Sequence, residues 1–212
     1  MIQDLRENYD LAKLEREDLN YDPFVQFKNW FDYAVSKEVT EPNAMTVATV
    51  TADGRPSARI VLLKGFDEKG FVFYTNYNSL KGQELQQNPN TALVFCWLDL
   101  HKQIRIEGKV QKLSPQQSTE YFQSRPKGSQ IGAWASPQSS VIKNRDILEE
   151  NTEALKAQYA DAKKLPRPEN WGGFLVKPTM IEFWQGRTSR LHDRLRYTLE
   201  ESGGWKIERL AP

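Results

Sequence analysis

The stretch "AMTVATVTADGRPSARIVLLKGFDEKGFVFYTN", Ala44 to Asn76, decides the fold class. Its apolar runs are separated by Asp53-Gly54 and by "DEKG", Asp67 to Gly70. Asp-Gly between such runs is a strong hairpin signal, because the tightest turns need residues that tolerate positive φ. The segment therefore predicts consecutive antiparallel strands. Ile60 to Leu63 is an uninterrupted apolar run, which predicts a strand buried on both faces.

Working outward, "TALVFCWL" (91–98) and "KQIRIEGKVQKL" (102–113) predict two more strands, with His101 at their connection. "SLKGQELQQNPN" (79–90) predicts a short helix ended by Asn88-Pro89. On the N-terminal side, Phe24, Phe27, Phe31 and Ala34 fall at helical spacing behind Asp22-Pro23, a start signal. The charged residues before them, about 1–20, predict a loose helical arm. Beyond the strands, Ser114, Pro115 and Gln117 make a capping box for a helix over "SPQQSTEYFQSR" (114–125). "SQIGAWAS" (129–136) and "SSVIKNRDILEENTEALKAQYADAKK" (139–164) predict two further helices, and "LPRPENWGG" (165–173) a loop. "FLVKPTMIEFWQG" (174–186), "RLHDRLRYTL" (190–199) and "GWKIERLAP" (204–212) predict closing strands. Strands and helices do not alternate regularly. The order argues for a mainly β, α+β architecture, an antiparallel barrel flanked by helices, over a doubly wound parallel sheet. No internal repeat or boundary divides the chain, so one domain over 1–212 is expected.

Composition narrows the function. The 212 residues carry 29 Lys and Arg against 28 Asp and Glu, a formal charge of +1. That balance argues against a dedicated nucleic-acid binder and against a polybasic membrane-surface protein. Cys96 is the single cysteine, which excludes an intrachain disulfide or a CxxC pair. Within "TALVFCWL" it reads as a buried small hydrophobe. Two histidines, His101 and His192, in no metal-ligand spacing make metal catalysis unexpected. The N-terminus lacks the apolar run of a signal peptide, and no run approaches the ~18 residues of a membrane span. A soluble cytoplasmic protein is expected.

No GxGxxG, GxxxxGK[ST] or GxSxG motif is present. Basic residues instead recur beside small polar groups and aromatics. Arg59 and Lys64 bracket "IVLL"; Tyr74-Thr75 is followed by Ser79 and Lys81; Tyr121, Arg125 and Ser129 stand four apart in "YFQSRPKGS". Pro126 should break the helix between the last two. Taken singly these are ordinary surface residues. Converging, a phenol, a guanidinium and a hydroxyl suit a phosphomonoester, and several such clusters suggest two phosphate sites. Trp184 shares a predicted strand face with Glu182 and reads either as core or as a flat wall for a ring. In "SRLHDRLRY" (189–197), Arg190, His192 and Arg194 share parity, while Leu191, Asp193 and Leu195 take the other. As a strand, this puts two guanidiniums and an imidazole on one face. It reads either as a charged edge strand or as a site.

Together, "RIVLLK" (59–64), "FYTN" (73–76), "SRPKGSQIGAWAS" with "QSS" (124–140), "WGGF" (171–174), "IEFWQG" (181–186), "RLHDR" (190–194) and the ending "IERLAP" resemble the pyridoxine/pyridoxamine 5′-phosphate oxidase family over nearly the whole chain. The resemblance implies an FMN-binding split β-barrel and a homodimer with FMN at the subunit interface. It implies oxidation of pyridoxine 5′-phosphate or pyridoxamine 5′-phosphate to pyridoxal 5′-phosphate. Flavin takes a hydride, O2 reoxidises it to give H2O2, and the amine substrate releases NH3. It implies FMN contacts from Arg59, Ile60, Val61, Leu62, Leu63, Lys64, Tyr74, Thr75, Lys81 and Gln103. Gln138, Ser139, Trp184 and Arg194 would complete that site, some from the partner subunit. Lys64, Tyr121, Arg125 and Ser129 would hold the substrate phosphate. Arg190 and His192 would act at the substrate ring beside Leu191, with arm residues Arg6, Glu7, Asn8 and Tyr9 folding over. One departure stands out: Ser79-Leu80-Lys81 occupies the place of the family's "SRK", so an FMN-assisting arginine is missing. Two other readings use the same residues: a carrier that binds the vitamer without turning it over, and a split-barrel flavoprotein acting on another reductant.

Overall fold

A single long strand organises the molecule. The protein is described here by a computed structural model, which describes residues 1–5 and 7–212. The strands are β1 (Ala44–Val50), β2 (Pro56–Leu62), β3 (Gly65–Asp67), β4 (Gly70–Asn76), β5 (Asn90–Trp97), β6 (Lys102–Lys112), β7 (Trp171–Gln185), β8 (Asp193–Leu199) and β9 (Trp205–Leu210). All pairings are antiparallel, in the order β2-β1-β5-β6-β7-β4-β3, with β8 also on β7 and β9 on β8. β7 has two partners on one edge: Trp171–Val176 pair with β4, and Met180–Gln185 pair with β8. Between them the register against β6 slips, Glu107 facing Met180 but Gly108 facing Pro178, so that Thr179 is an extra residue. A bulge bends a strand and tolerates a proline that cannot donate to the ladder. Gly108 permits it: a Cβ there would lie 2.1 Å from the Lys177 carbonyl oxygen. The sheet curls without closing, as in a split barrel.

Hairpin chemistry is where the sequence puts it. β1 and β2 join through a turn with Gly54 at φ +87°, and β3 and β4 through one with Gly70 at φ +142°. Helix α1 (Pro23–Ser36) starts at Asp22, whose carboxylate accepts from the Phe24 N–H (2.8 Å). α2 (Leu80–Gln87) is capped by Ser79, and α3 (Pro115–Ser124) by the Ser114–Gln117 box. α4 (Lys127–Ala135) and α5 (Asp146–Gln158) follow.

Several expectations change. The "RLH" part of the predicted strand, Arg190 to His192, is a turn: β8 begins only at Asp193, and Ser189 and Arg190 hold φ of 56° and 61°. That left-handed backbone cannot enter a β ladder. Trp171, Gly172 and Gly173 are strand rather than loop; their glycines admit close packing, since a Cβ on Gly172 would sit 2.2 Å from the Tyr77 hydroxyl. α5 starts at Asp146, since Ser139 at φ 70° and the irregular backbone after it do not belong to a helix. Among the described residues the arm holds two short 3₁₀ turns and no α-helix, and Leu14 and Leu19 are buried in the core. β2 is an edge strand, so Ile60 is 66% exposed instead of buried. Cys96 is exposed, because alternation in β5 points Phe95 and Trp97 inward and Cys96 out.

The inner face of the sheet packs on α1. Phe27 is fully buried with ring centroids 4.7 Å from Phe66, 4.9 Å from Phe71 and 5.2 Å from Phe95. A second small core, Phe122, Ile131, Leu165 and Trp171, fixes α3 and α4 against the start of β7. The outer face is only partly covered. Registers align Cys96, Gln103, Trp184, Arg194 and Leu210 across β5 to β9. Phe27→Ala should cost about 3–5 kcal/mol, as for a fully buried aromatic, read as a lower urea midpoint at fixed protein concentration.

Candidate active site

The expected site residues fall into two cavities. The first, of about 300 Å³, is lined by Ile60, Val61, Leu62, Lys64, Tyr74, Thr75, Asn76, Lys81, Tyr121, Arg125, Gln138 and Trp171. Three of these are cations and none is an acid. The end of β2 and the residues after it supply Ile60, Val61, Leu62 and Lys64, the end of β4 supplies Tyr74 to Asn76, and the helix α3 with its C-cap supplies Tyr121 and Arg125. The break at Pro126 turns the chain so that Ser129, on α4, shares an adjoining lobe of about 260 Å³ with Arg125 and Gln138.

Lys81 is buried, and its ammonium donates to Thr75 Oγ1 at 3.2 Å. Burial, and then the nearby Arg59 guanidinium, lower its pKa against the pull of Glu84. Arg125 lies 4.6 Å over the Trp171 ring, and its Nη1 is buried with no hydrogen bond. Burial lowers its pKa too. Leaving a buried donor unsatisfied costs about 1–3 kcal/mol, more when it is charged; Arg125 Nη1 has no partner and Lys81 only a neutral hydroxyl, so both cations call for an anion. Tyr74, Tyr121 and Trp171 form one cluster of near-parallel rings, with Tyr74 3.8 Å from Tyr121 and 5.4 Å from Trp171 and those two 6.2 Å apart, and burial, then Tyr121, pushes the Tyr74 phenol up to about 12. Thr75 Oγ1 donates to Gln138 Oε1 (3.2 Å). Trp171 and Asn76 were not singled out from sequence; "WGGF" held the signal for Trp171, hidden by its reading as a loop.

Other expected residues sit differently. Arg59 pairs with Glu84 (3.3 Å) and donates to Ser57 (2.7 Å) on the inner side of β2. Burial would raise Glu84, but hydrogen bonds from Thr49 and Ser57 and the Arg59 charge hold it below the usual carboxylate range. Leu63 turns into the core. Ser139 is exposed, and Gln103 lies on the outer sheet face beside Trp184. Arg194 is on that face, bonded to buried Glu182 through Nε (2.8 Å) and Nη2 (3.1 Å).

The second cavity, of about 540 Å³, is lined by Leu5, Glu7, Asn8, Tyr9, Trp184, Arg187, Ser189, Arg190 and His192. Leu191 is 70% exposed beside it, and Arg6 lies outside the described residues. Trp184 and His192 have ring centroids 4.6 Å apart, and Tyr9 packs on His101 at 4.3 Å and on His192 at 5.8 Å. The Arg187 N–H donates to His192 Nδ1 (3.1 Å), so the neutral ring carries its proton on Nε2. Burial, then Arg190, lower the His192 pKa against Asp193.

Trp171 and Trp184 are thirteen residues apart on β7, about 40 Å of extended chain. Within one chain Arg125, over Trp171, and His192, beside Trp184, line different cavities. A cavity holding both needs a second copy.

A family profile described as "Pyridoxamine 5'-phosphate oxidase" matches residues 31–159, and one described as "Pyridoxine 5'-phosphate oxidase C-terminal dimerisation region" matches residues 171–212. The chain is 57% identical over 212 residues to a Salinibacter ruber protein named pyridoxine/pyridoxamine 5'-phosphate oxidase, covering 100% of this chain and 99% of the relative. It is 54% identical to a Nostoc punctiforme protein of the same name, covering 100% and 98%. Among solved structures, PhzG from Burkholderia lata, in complex with tetrahydrophenazine-1-carboxylic acid, superposes with TM-score 0.90 at 31% identity, covering 97% of this chain and 100% of that one.

Gly186 makes room for the arm: a Cβ there would lie 2.8 Å from Tyr9 Cδ2 and 2.9 Å from His101 Cβ. Gly186→Ala should therefore expel Tyr9, seen as faster proteolysis after Lys13 and Arg16 and as altered Trp184 fluorescence. The same cleavage rate as in the parent protein would show that Tyr9 does not depend on this seat.

Proposed function

The chain belongs to the pyridoxine/pyridoxamine 5′-phosphate oxidase family, and from that membership we propose that it oxidises pyridoxine 5′-phosphate or pyridoxamine 5′-phosphate to pyridoxal 5′-phosphate with FMN and O2. The observation that carries this reading is the acid-free cavity with its buried Lys81 and its unpaired Arg125. Phosphomonoesters answer both cations.

The residues fit two such groups. Lys81 and Thr75, with Arg59 behind them, would hold the FMN phosphate. Lys64, Tyr121, Arg125 and Ser129 would hold that of the substrate. Ile60 and Leu62, with Gln103, Gln138, Ser139, Trp184 and Arg194, would border the flavin ring across the subunit interface. Bound FMN supplies the two-electron acceptor that no side chain offers, and O2 regenerates it with release of H2O2. The protein does the placing. Arg125 and Lys64 anchor one end of the substrate, and Arg190, beside Leu191, with His192 and the arm residues Arg6, Glu7, Asn8 and Tyr9, would enclose the other in the paired subunit. Oriented reactants gain up to ~7–11 kcal/mol, so fixing these walls is the main contribution of the chain. His192 stays neutral at pH 7 and offers Nε2–H as a donor. Among the described residues no helix is long and apolar enough to cross a membrane; the lone cysteine suits a reducing, cytoplasmic setting.

The deciding experiment is anaerobic mixing with each phosphorylated vitamer. A yellow protein that bleaches and recovers its colour in air, with H2O2 formed, supports the reading; binding without bleaching means a carrier. His192→Ala and Arg190→Ala should lower kcat more than they loosen FMN. Because its imidazole pKa is depressed, the acid limb set by His192 should fall below pH 6.5, the ordinary value. Leu80, 52% exposed at the first position of α2, stands where an arginine would add a charged hydrogen bond of about 1.5–3 kcal/mol. Leu80→Arg should tighten FMN roughly 10- to 100-fold by fluorescence titration.

A further inference from the structure

Asp193 is a buried carboxylate beside His192 that takes no part in the site as described above. It accepts from Arg187 Nη1 (2.8 Å), from Arg209 Nη1 (3.0 Å) and from the backbone N–H of Leu14 (3.1 Å). Arg209 also donates to the Leu14 carbonyl (3.1 Å) and to Glu15 (2.7 Å). Three segments remote in sequence thus end on one group: the root of the arm, the turn after β7, and the last strand.

Arg187 is held twice. Its guanidinium is fixed by Asp193, and its backbone N–H donates to His192 Nδ1. The turn between them is strained, because Ser189 and Arg190 both sit at positive φ; non-glycine residues persist there only when their surroundings impose it. The Asp193–Arg187 pair is that imposition. Without it the turn can relax, the Arg187 N–H moves away from Nδ1, and the proton on His192 is free to occupy either ring nitrogen.

We propose that Asp193 is a positioning residue that acts through Arg187: it fixes the turn over residues 187–192 so that His192 is held as the Nε2–H tautomer facing the substrate cavity, while the same carboxylate anchors the arm that carries Tyr9. The orientation of His192 toward substrate rests on the oxidase reading; the tautomer assignment does not. Asp193 need touch neither substrate nor cofactor; Arg187, which lines the second cavity, acts here through its ion pair with Asp193 and its backbone N–H to His192.

The test is ¹⁵N NMR of the imidazoles in the FMN-loaded protein, together with kinetics. The parent protein should show His192 with Nδ1 unprotonated and Nε2 protonated, separated from His101 by a His101→Gln reference. Asp193→Asn, close to isosteric, should give a mixed or inverted tautomer signal and a roughly 10-fold or greater fall in kcat, since small misplacements of reacting groups cost up to about 10²-fold. The FMN dissociation constant should stay within about twofold. Arg187→Ala should reproduce both effects, and the double variant should be no worse than either single one, as expected for residues in one chain of contacts. An unchanged His192 tautomer in Asp193→Asn, or additive losses in the double variant, overturns the proposal. Should Asp193→Asn fail to fold, Arg187→Ala read by the same signals decides alone. An inactive parent protein that still shows the Nε2–H signal, lost in Asp193→Asn, would reject the oxidase reading and keep this one.

Discussion

The bulge in β7 is the constraint on which the rest depends. One extra residue, Thr179, set against the glycine of β6, bends a fifteen-residue strand and gives its two halves different neighbours. The first half pairs with β4 and carries Trp171 beneath the stacked tyrosines and Arg125. The second pairs with β8 and carries Trp184 beside His192. A straight strand would stay in one flat sheet with one row of partners. Bent, it serves two cavities, and its length keeps them apart within one chain. A homodimer answers that separation: the residues matched to a dimerisation region, 171–212, run through both halves of β7 and on through β8 and β9.

The half-exposed outer sheet face fits the same picture. Ile60 and Cys96 leave apolar surface exposed on this face, beside half-buried Trp184, and Glu182, paired with Arg105 and Arg194, brings charge that is already neutralised. Pre-paired charges can be covered by a partner at a smaller desolvation cost than free ones. The acid-free cavity is the opposite case. Lys81 meets only the neutral Thr75 hydroxyl and Arg125 Nη1 has no hydrogen bond, a cost that a bound anion would offset.

Much of the fold was legible in the sequence because its signals are local. Asp53-Gly54, Gly70, the Asp22 and Ser114 caps and the strand alternation are each set by a few neighbouring residues, and each appears where it was expected. The misreadings are also instructive. "WGG" looks like a turn, yet its glycines make room for Tyr77 and Tyr74 across the sheet. "RLH" alternates like a strand, yet positive φ at Ser189 and Arg190 removes it from the ladder. In both places a distant contact outvotes local propensity, as it can when local preferences amount to about 1 kcal/mol or less.

What the sequence determined by itself was the kind of chemistry: basic residues next to phenols and hydroxyls, two histidines, no metal spacing, and motifs whose order names the family. Only the tertiary structure decided how these are shared out. It put Arg125 and His192 in separate cavities, tied Arg59 to Glu84, and gathered Leu14, Arg187 and Arg209 around Asp193. The reason is physical. Residue type and short spacing encode what a side chain can bond to, but which partner it meets depends on strand register and on where a long strand bends, and contacts across more than a hundred residues leave no mark in any local window.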